Sequence, residues 1–180
     1  MSIRSNIGKR ILRKKSKELN RKTVVQNFQT ARSAVIVFDT AIPGSLQEVK
    51  SFRKKLAEGG ISCDVFGFVN QKEVPSEMLY WDNFAYITRK DLNWYYRPTG
   101  DVAEKFYSLK PDILFDLTFD HSLPLSFLIY LSPAKFKVGC FTEEENDYDL
   151  MINQGKQCQI PFLIEQIQHY IHIIHPSTQS

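Results

Sequence analysis

The sequence predicts an α/β fold: a single three-layer, Rossmann-like domain with a mostly parallel sheet, preceded by a basic N-terminal helix. Three observations carry this. Short apolar runs rich in Val, Ile and Phe, at residues 33–38, 61–69 and 113–119, read as strands buried on both faces. They alternate with segments of helical spacing, the pattern of βαβ units. Residues 110–139 read as strand, brief helical crossover and strand, which implies neighbouring parallel strands.

Taken in order, residues 5–27 are predicted as a helix with Ser5 at its N-cap and a one-sided stripe of Ile3, Ile7, Ile11, Leu12 and Leu19. Residues 33–38 form the first strand. Pro43 and Ser45 open a helix that carries Leu46, Val49, Phe52 and Leu56 and stops at Gly59-Gly60. Residues 61–69 are the second strand and residues 83–88 the third. A turn at residues 97–100 leads into a helix over 101–109 with Val102, Phe106 and Leu109 on one face. The strand over 113–119 is broken by Asp116, a helix spans 125–131, and strands follow at 136–140 and 148–152. Residues 160–174 close the chain as a helix with Pro161 in its first turn. Two of the connections are short for a parallel crossover, so an antiparallel edge strand is an open alternative. The predicted organisation is a basic helix over 1–30, the α/β domain over 31–175 and a disordered tail over 176–180.

A chain of 180 residues can bury a proper core, about 70% of its unfolded surface. Its net charge of +3 hides an asymmetry. Nine of the 23 basic residues (Arg4, Lys9, Arg10, Arg13, Lys14, Lys15, Lys17, Arg21, Lys22) fall within residues 1–22, beside one acid, Glu18. That segment is +8, and the remainder, with 14 basic and 19 acidic groups, is −5. Three scattered cysteines, Cys63, Cys140 and Cys158, exclude a disulfide framework and suit a reducing compartment. No apolar run reaches the roughly 18 residues of a membrane span, and no apolar segment follows the N-terminal charges as in a secretory signal. The expected location is cytoplasmic.

In open α/β sheets ligands sit at the carboxyl ends of strands. The groups that follow strands here are Asp39 and Thr40, residues 89–93, and Thr118, Asp120 and His121. If Asp39, Lys90, Asp91 and Asp116 converged on one crevice, they would suit acid–base or phosphate chemistry. Solvated loops also place polar residues there without any function. Phosphate-loop glycine motifs are absent. Asp116, inside an apolar strand, needs a partner or a raised pKa. Asn93 and Trp94, with Tyr95 and Tyr96, could stack a base or a sugar. His169, His172 and His175 share a helix end, but no further ligand completes a metal shell. No metal and no cofactor is therefore expected.

The basic arm is the strongest partner signal. Arg10, Arg13, Lys14, Lys15, Lys17 and Arg21 could bind the phosphates of nucleic acid or a ribonucleoprotein, or lie on an anionic membrane surface. A helix whose apolar stripe packs on its own domain explains the same residues without a partner, and a homodimer of paired arm helices is a third reading.

The basic helix, the Val35-Ile36-Val37-Phe38-Asp39 strand, Lys90-Asp91 with Asn93-Trp94, and the tail running from Asp112 to Leu117, Ser132 to Gly139 and Tyr148 to Ile152 resemble an uncharacterised family from Bacteroidota along nearly the whole chain. That resemblance implies a cytoplasmic α/β domain and no catalytic activity. A weaker likeness, at Asp112 to Leu117, Ser126 to Ser132 and Lys137 to Gly139, is to the N-terminal half of heptosyltransferase-type glycosyltransferases. It implies a fold only, since those enzymes bind their nucleotide-sugar with a second Rossmann-like domain that this sequence lacks. The expectation is a non-catalytic binding protein that uses its basic helix. The alternative is a small transferase or hydrolase acting on a nucleotide or sugar-phosphate at the strand ends.

Overall fold

A computed structural model describes residues 2–79, 81–119, 122–155 and 159–175. Asp120, His121, Cys158 and the tail 176–180 lie outside the described residues. The order is α1 (Ile3–Glu18), β1 (Ser33–Asp39), α2 (Ser45–Glu58), β2 (Ser62–Val69), β3 (Phe84–Thr88), α3 (Asp101–Ser108), β4 (Ile113–Leu117), α4 (Leu123–Leu131), β5 (Phe136–Cys140), β6 (Leu150–Ile152) and α5 (Ile160–Ile173).

The six strands pair in the order β3-β2-β1-β4-β5-β6, and every pairing is parallel. The antiparallel alternative is thereby corrected. Among the described residues neither short crossover contains an α-helix: the segment before β3 carries a 3-10 turn, Ser76–Met78, and residues 141–149 lead to a β6 of only three residues. Strand order reverses between β1 and β4, as in doubly wound folds.

Alternation along the strands builds two cores. Ile36, Phe38, Ile113 and Phe115 face α2 and α5, where Phe52 meets Phe115 edge-on at 5.1 Å. Val35, Val37, Phe66 and Leu114 face α3 and α4, where Phe66 meets Phe106 at 4.9 Å. Asp116 and Lys137 alternate onto this second side.

The N-terminal helix departs from its predicted bounds at both ends. Ser2, not Ser5, is the N-cap, and its hydroxyl accepts the Ser5 N–H at 3.3 Å. The helix stops at Glu18 rather than near residue 27. Thr23, Val24 and Val25 are β-branched and poor helix formers, and the chain is drawn out instead along the domain. The Val24 N–H bonds the Lys135 carbonyl at 3.0 Å, and the Asn27 side-chain amide donates to the Ile174 carbonyl at 3.0 Å. Residues 19–32 are therefore a strap that ties α1 to the sheet. Among the described residues no helix is long and apolar enough to cross a membrane.

Candidate functional site

The four candidate acid–base groups do not come together. Lys90 and Asp91 follow β3 at the edge of the sheet, while Asp116 lies on β4, three strands away. Strands spaced about 4.8 Å apart put the backbones of β3 and β4 about 14 Å from one another. Lys90 Nζ pairs with Glu73 at 2.8 Å on the surface. The Asp91 carboxylate accepts the Thr88 N–H and hydroxyl at 2.7 and 2.8 Å, closing a capping box. Asp39 accepts the Ala41 N–H at 2.8 Å in a local turn. Asp116, fully buried opposite Val37, accepts the Thr118 N–H at 2.9 Å and the Tyr148 hydroxyl. Each of these groups has a structural engagement of its own.

Asn93 and Trp94 hold α1. The Asn93 side-chain oxygen accepts the N–H groups of Tyr95 and Arg97 at 3.1 and 3.0 Å and so shapes the loop. The Trp94 carbonyl accepts Arg4 Nε at 2.6 Å, and the Arg4 guanidinium lies over the Tyr96 ring at 5.1 Å. Gly8 then lets the helix close on this loop. A Cβ there would stand 2.5 Å from the Tyr95 carbonyl oxygen and 2.6 Å from Leu123 Cδ2 of α4. Leu12, one turn on, is buried. Gly8 and Leu12 thus face the helix's own domain, and Ile7 and Ile11 are half-buried. Ile3, predicted in the same stripe, is 79% exposed.

Behind α1 lies a buried ionic cluster. Arg21, counted with the free cations of the arm, is instead inside: its side chain is only 8% exposed. It grips Asp149 bidentately at 2.7 and 3.1 Å and reaches Asp147 at 3.0 Å. Lys137, fully buried on β5, completes the group by pairing with Asp147 and donating to the Tyr130 carbonyl at 3.4 Å. Two cations thus meet two carboxylates, as a dry site requires. Burial pulls the Arg21 guanidinium down, but Asp149 and Asp147 outweigh it and hold its pKa above the usual value. For Lys137 burial prevails over the Asp147 attraction, and its pKa falls to about 8. Gly139 makes room for the neighbouring Tyr148, since a Cβ there would lie 2.6 Å from the Tyr148 ring. Sequence reasoning missed this cluster. Its one visible trace was two lysines bracketing Phe136 in a strand, a pattern that a solvated edge strand shares.

Lys137 sets a pH dependence. Its pKa is lower folded than unfolded, so between about 8 and the ordinary lysine value of 10.5 the unfolded chain holds the extra proton. Stability therefore rises with pH through that window, with a slope of at most about 1.4 kcal/mol per pH unit. Burial also pushes the Cys63 thiol and the phenols of Tyr86, Tyr107 and Tyr130 up to about 12. Only the unfolded chain loses these protons, so the thiol opposes the rise from about pH 9 and the phenols from about pH 10. Urea titrations at stepped pH should therefore show the stability of the wild type rising relative to Lys137→Met from pH 8 to 10. A difference between the two that does not change with pH would rule out this role for Lys137.

The outer surface of α1 is the remaining charged feature. Lys9, Arg10, Arg13, Lys14 and Lys17 are exposed. Among the described residues only Lys14 has an acidic neighbour, Glu18 at 3.9 Å, itself well exposed. Lys9, Arg13 and Lys17 follow one another at four-residue steps along one face, about 6 Å apart along the axis. They line an open groove of about 600 Å³. Leu123, Ser126 and Tyr130 of α4 also line it, as do Glu144, Glu145 and Asp147 from the loop after β5. Arg10 and Lys14 are exposed beside this row and do not line the groove.

A family model described as Family of unknown function (DUF6913) matches residues 4–174, from the first turn of α1 to the end of α5. The match agrees with the resemblance to an uncharacterised family seen in the sequence. No curated protein matches the chain.

Proposed function

We propose that this chain, which belongs to the Family of unknown function (DUF6913), is a non-catalytic binding protein whose helix α1 holds a polyanion, nucleic acid or a ribonucleoprotein in the first place. The observation that carries the reading is the docked, outward-facing row of cations. Lys9, Arg10, Arg13 and Lys17 have no ion-pair partner among the described residues, and Lys14 has only the weak, solvent-exposed Glu18 contact. A rigid helix presenting several unneutralised cations is an electrostatic footprint for phosphates. The acid–base alternative has less support, because its candidate residues sit apart and are individually satisfied.

The test is a quadruple variant, Arg10→Gln, Arg13→Gln, Lys14→Gln and Lys17→Gln, which leaves Gly8, Leu12 and Arg21 in place. Its binding to single-stranded RNA and DNA is compared with that of the wild type across a salt series. The wild type should bind with affinity that falls steeply with salt, and the log–log slope should shrink by roughly 0.7 for each phosphate contact removed. Absence of salt-sensitive binding in the wild type would sink the reading. Binding to anionic vesicles but to neither nucleic acid would move the partner to a membrane surface.

A further inference from the structure

We infer that the groove beside α1 holds a guanine nucleotide of a single-stranded nucleic acid, with successive backbone phosphates along Lys9, Arg13 and Lys17 and the donor edge of the guanine on Glu144 or Glu145. This deepens the polyanion reading and rests on it.

The groove is lined by cations from α1 and by carboxylates from the loop after β5, and the two sets do not join. Among the described residues, no ion pair links Lys9, Arg13 or Lys17 to Glu144 or Glu145. Each set is braced by the domain. Gly8 and Leu12 seat α1 against α4 and the Tyr95 loop. Arg21 clamps the loop over 141–149 through Asp147 and Asp149, and the Asn146 side chain turns it by accepting the Tyr148 N–H at 3.1 Å. Asp147 is occupied by Arg21 and Lys137, so Glu144 and Glu145 are the acceptors left to a ligand.

A plain polyanion is repelled by the glutamates, and a cation by α1. The occupant must be anionic at one end and rich in hydrogen-bond donors at the other. A nucleotide has this character. Guanine offers two adjacent donors, N1–H and N2–H, which one carboxylate accepts together, as in other bidentate contacts. Uracil has a single N–H flanked by two carbonyls, which a carboxylate repels. In a duplex the N1–H is already paired, so the groove selects single strands. The Tyr130 ring, with Leu12 and Leu123, offers apolar surface to the base. The Tyr130 hydroxyl, pushed up to about 12 by burial, remains a donor at neutral pH. A volume of about 600 Å³ is in the range of small-ligand sites.

The experiment is fluorescence anisotropy on the full chain with two short single-stranded RNAs, one of uridines only and one in which guanosines replace alternate uridines. The guanosine RNA should bind about tenfold more tightly. In the double variant Glu144→Gln, Glu145→Gln the preference should disappear, while the uridine RNA binds equally well or better because two negative charges are gone. Both glutamates are exposed, so the substitutions leave the core alone. Salt-sensitive wild-type binding with equal affinity for the two RNAs would overturn the groove and leave the helix reading standing. A preference that survives the double variant would also overturn it. Failure of the wild type to bind either RNA would remove the helix reading itself.

Discussion

Arg21→Ala should cost the fold about 3 kcal/mol in urea unfolding. The substitution leaves Asp147 and Asp149 facing each other with only Lys137 between them, in a site where Asp149 is 12% exposed. Removing one partner of a buried pair costs roughly 3–5 kcal/mol, because the other is left desolvated and uncompensated. The lower end applies, since Asp147 is 37% exposed and water can relieve it. Arg21→Lys should recover only part of the loss, because an ammonium cannot grip one carboxylate bidentately while reaching a second. A cost below about 1 kcal/mol would mean that the cluster behaves as an ordinary surface pair. The same geometry makes deletion of residues 1–22 a poor test of partner binding. It would remove Arg21 along with the exposed cations, and lost binding would be confused with lost folding.

The second large effect belongs to Gly8→Val. Contacts of 2.5 and 2.6 Å are already too short for any Cβ, and a branched side chain adds two methyl groups against the Tyr95 backbone and Leu123. Overpacking of this kind costs about 1–3 kcal/mol. A 16-residue helix crowded with like charges is marginal on its own, so the strain should lift α1 off rather than deform the domain. Amide exchange should report this directly: protection falls along residues 3–18 and persists in β1, β2 and β4. Under the proposed function, nucleic-acid binding should survive in weakened form, since the cations remain, while the guanosine preference should fall as α1 leaves the groove. Unchanged protection in α1 would show that the helix seat is softer than the contacts imply. Gly8→Ala should lie between.

These two residues also show where sequence reading stops. Arg21 belonged to a run of nine cations, and nothing local separates it from Lys17 or Lys22. Its partners lie 126 and 128 positions away. Gly8 carries no signal in the sequence, and only the approach of the Tyr95 loop gives the missing side chain a purpose. Asp116 was recognisable as an anomaly, because a carboxylate in a run of Ile, Leu and Phe breaks the pattern of a doubly buried strand. Its partner Tyr148 was not recognisable, since it arrives from a loop beyond the next strand. Asn93, Trp94 and Asp91 were visible as a cluster, but their local hydrogen bonds were not. Their polar atoms serve the turn and the helix seat.

The amino-acid sequence by itself determined the layered α/β class, nearly every strand and helix, and the concentration of positive charge at the N-terminus. Those features depend on periodicity, capping and composition, which act over a few residues. The tertiary structure alone decided the parallel sense of the two edge strands, the end of α1 at Glu18, and the division of the basic residues into one that braces the fold and a row that faces solvent. That division depends on which carboxylates and which loop meet the helix, and such meetings are set by packing between segments far apart in the chain.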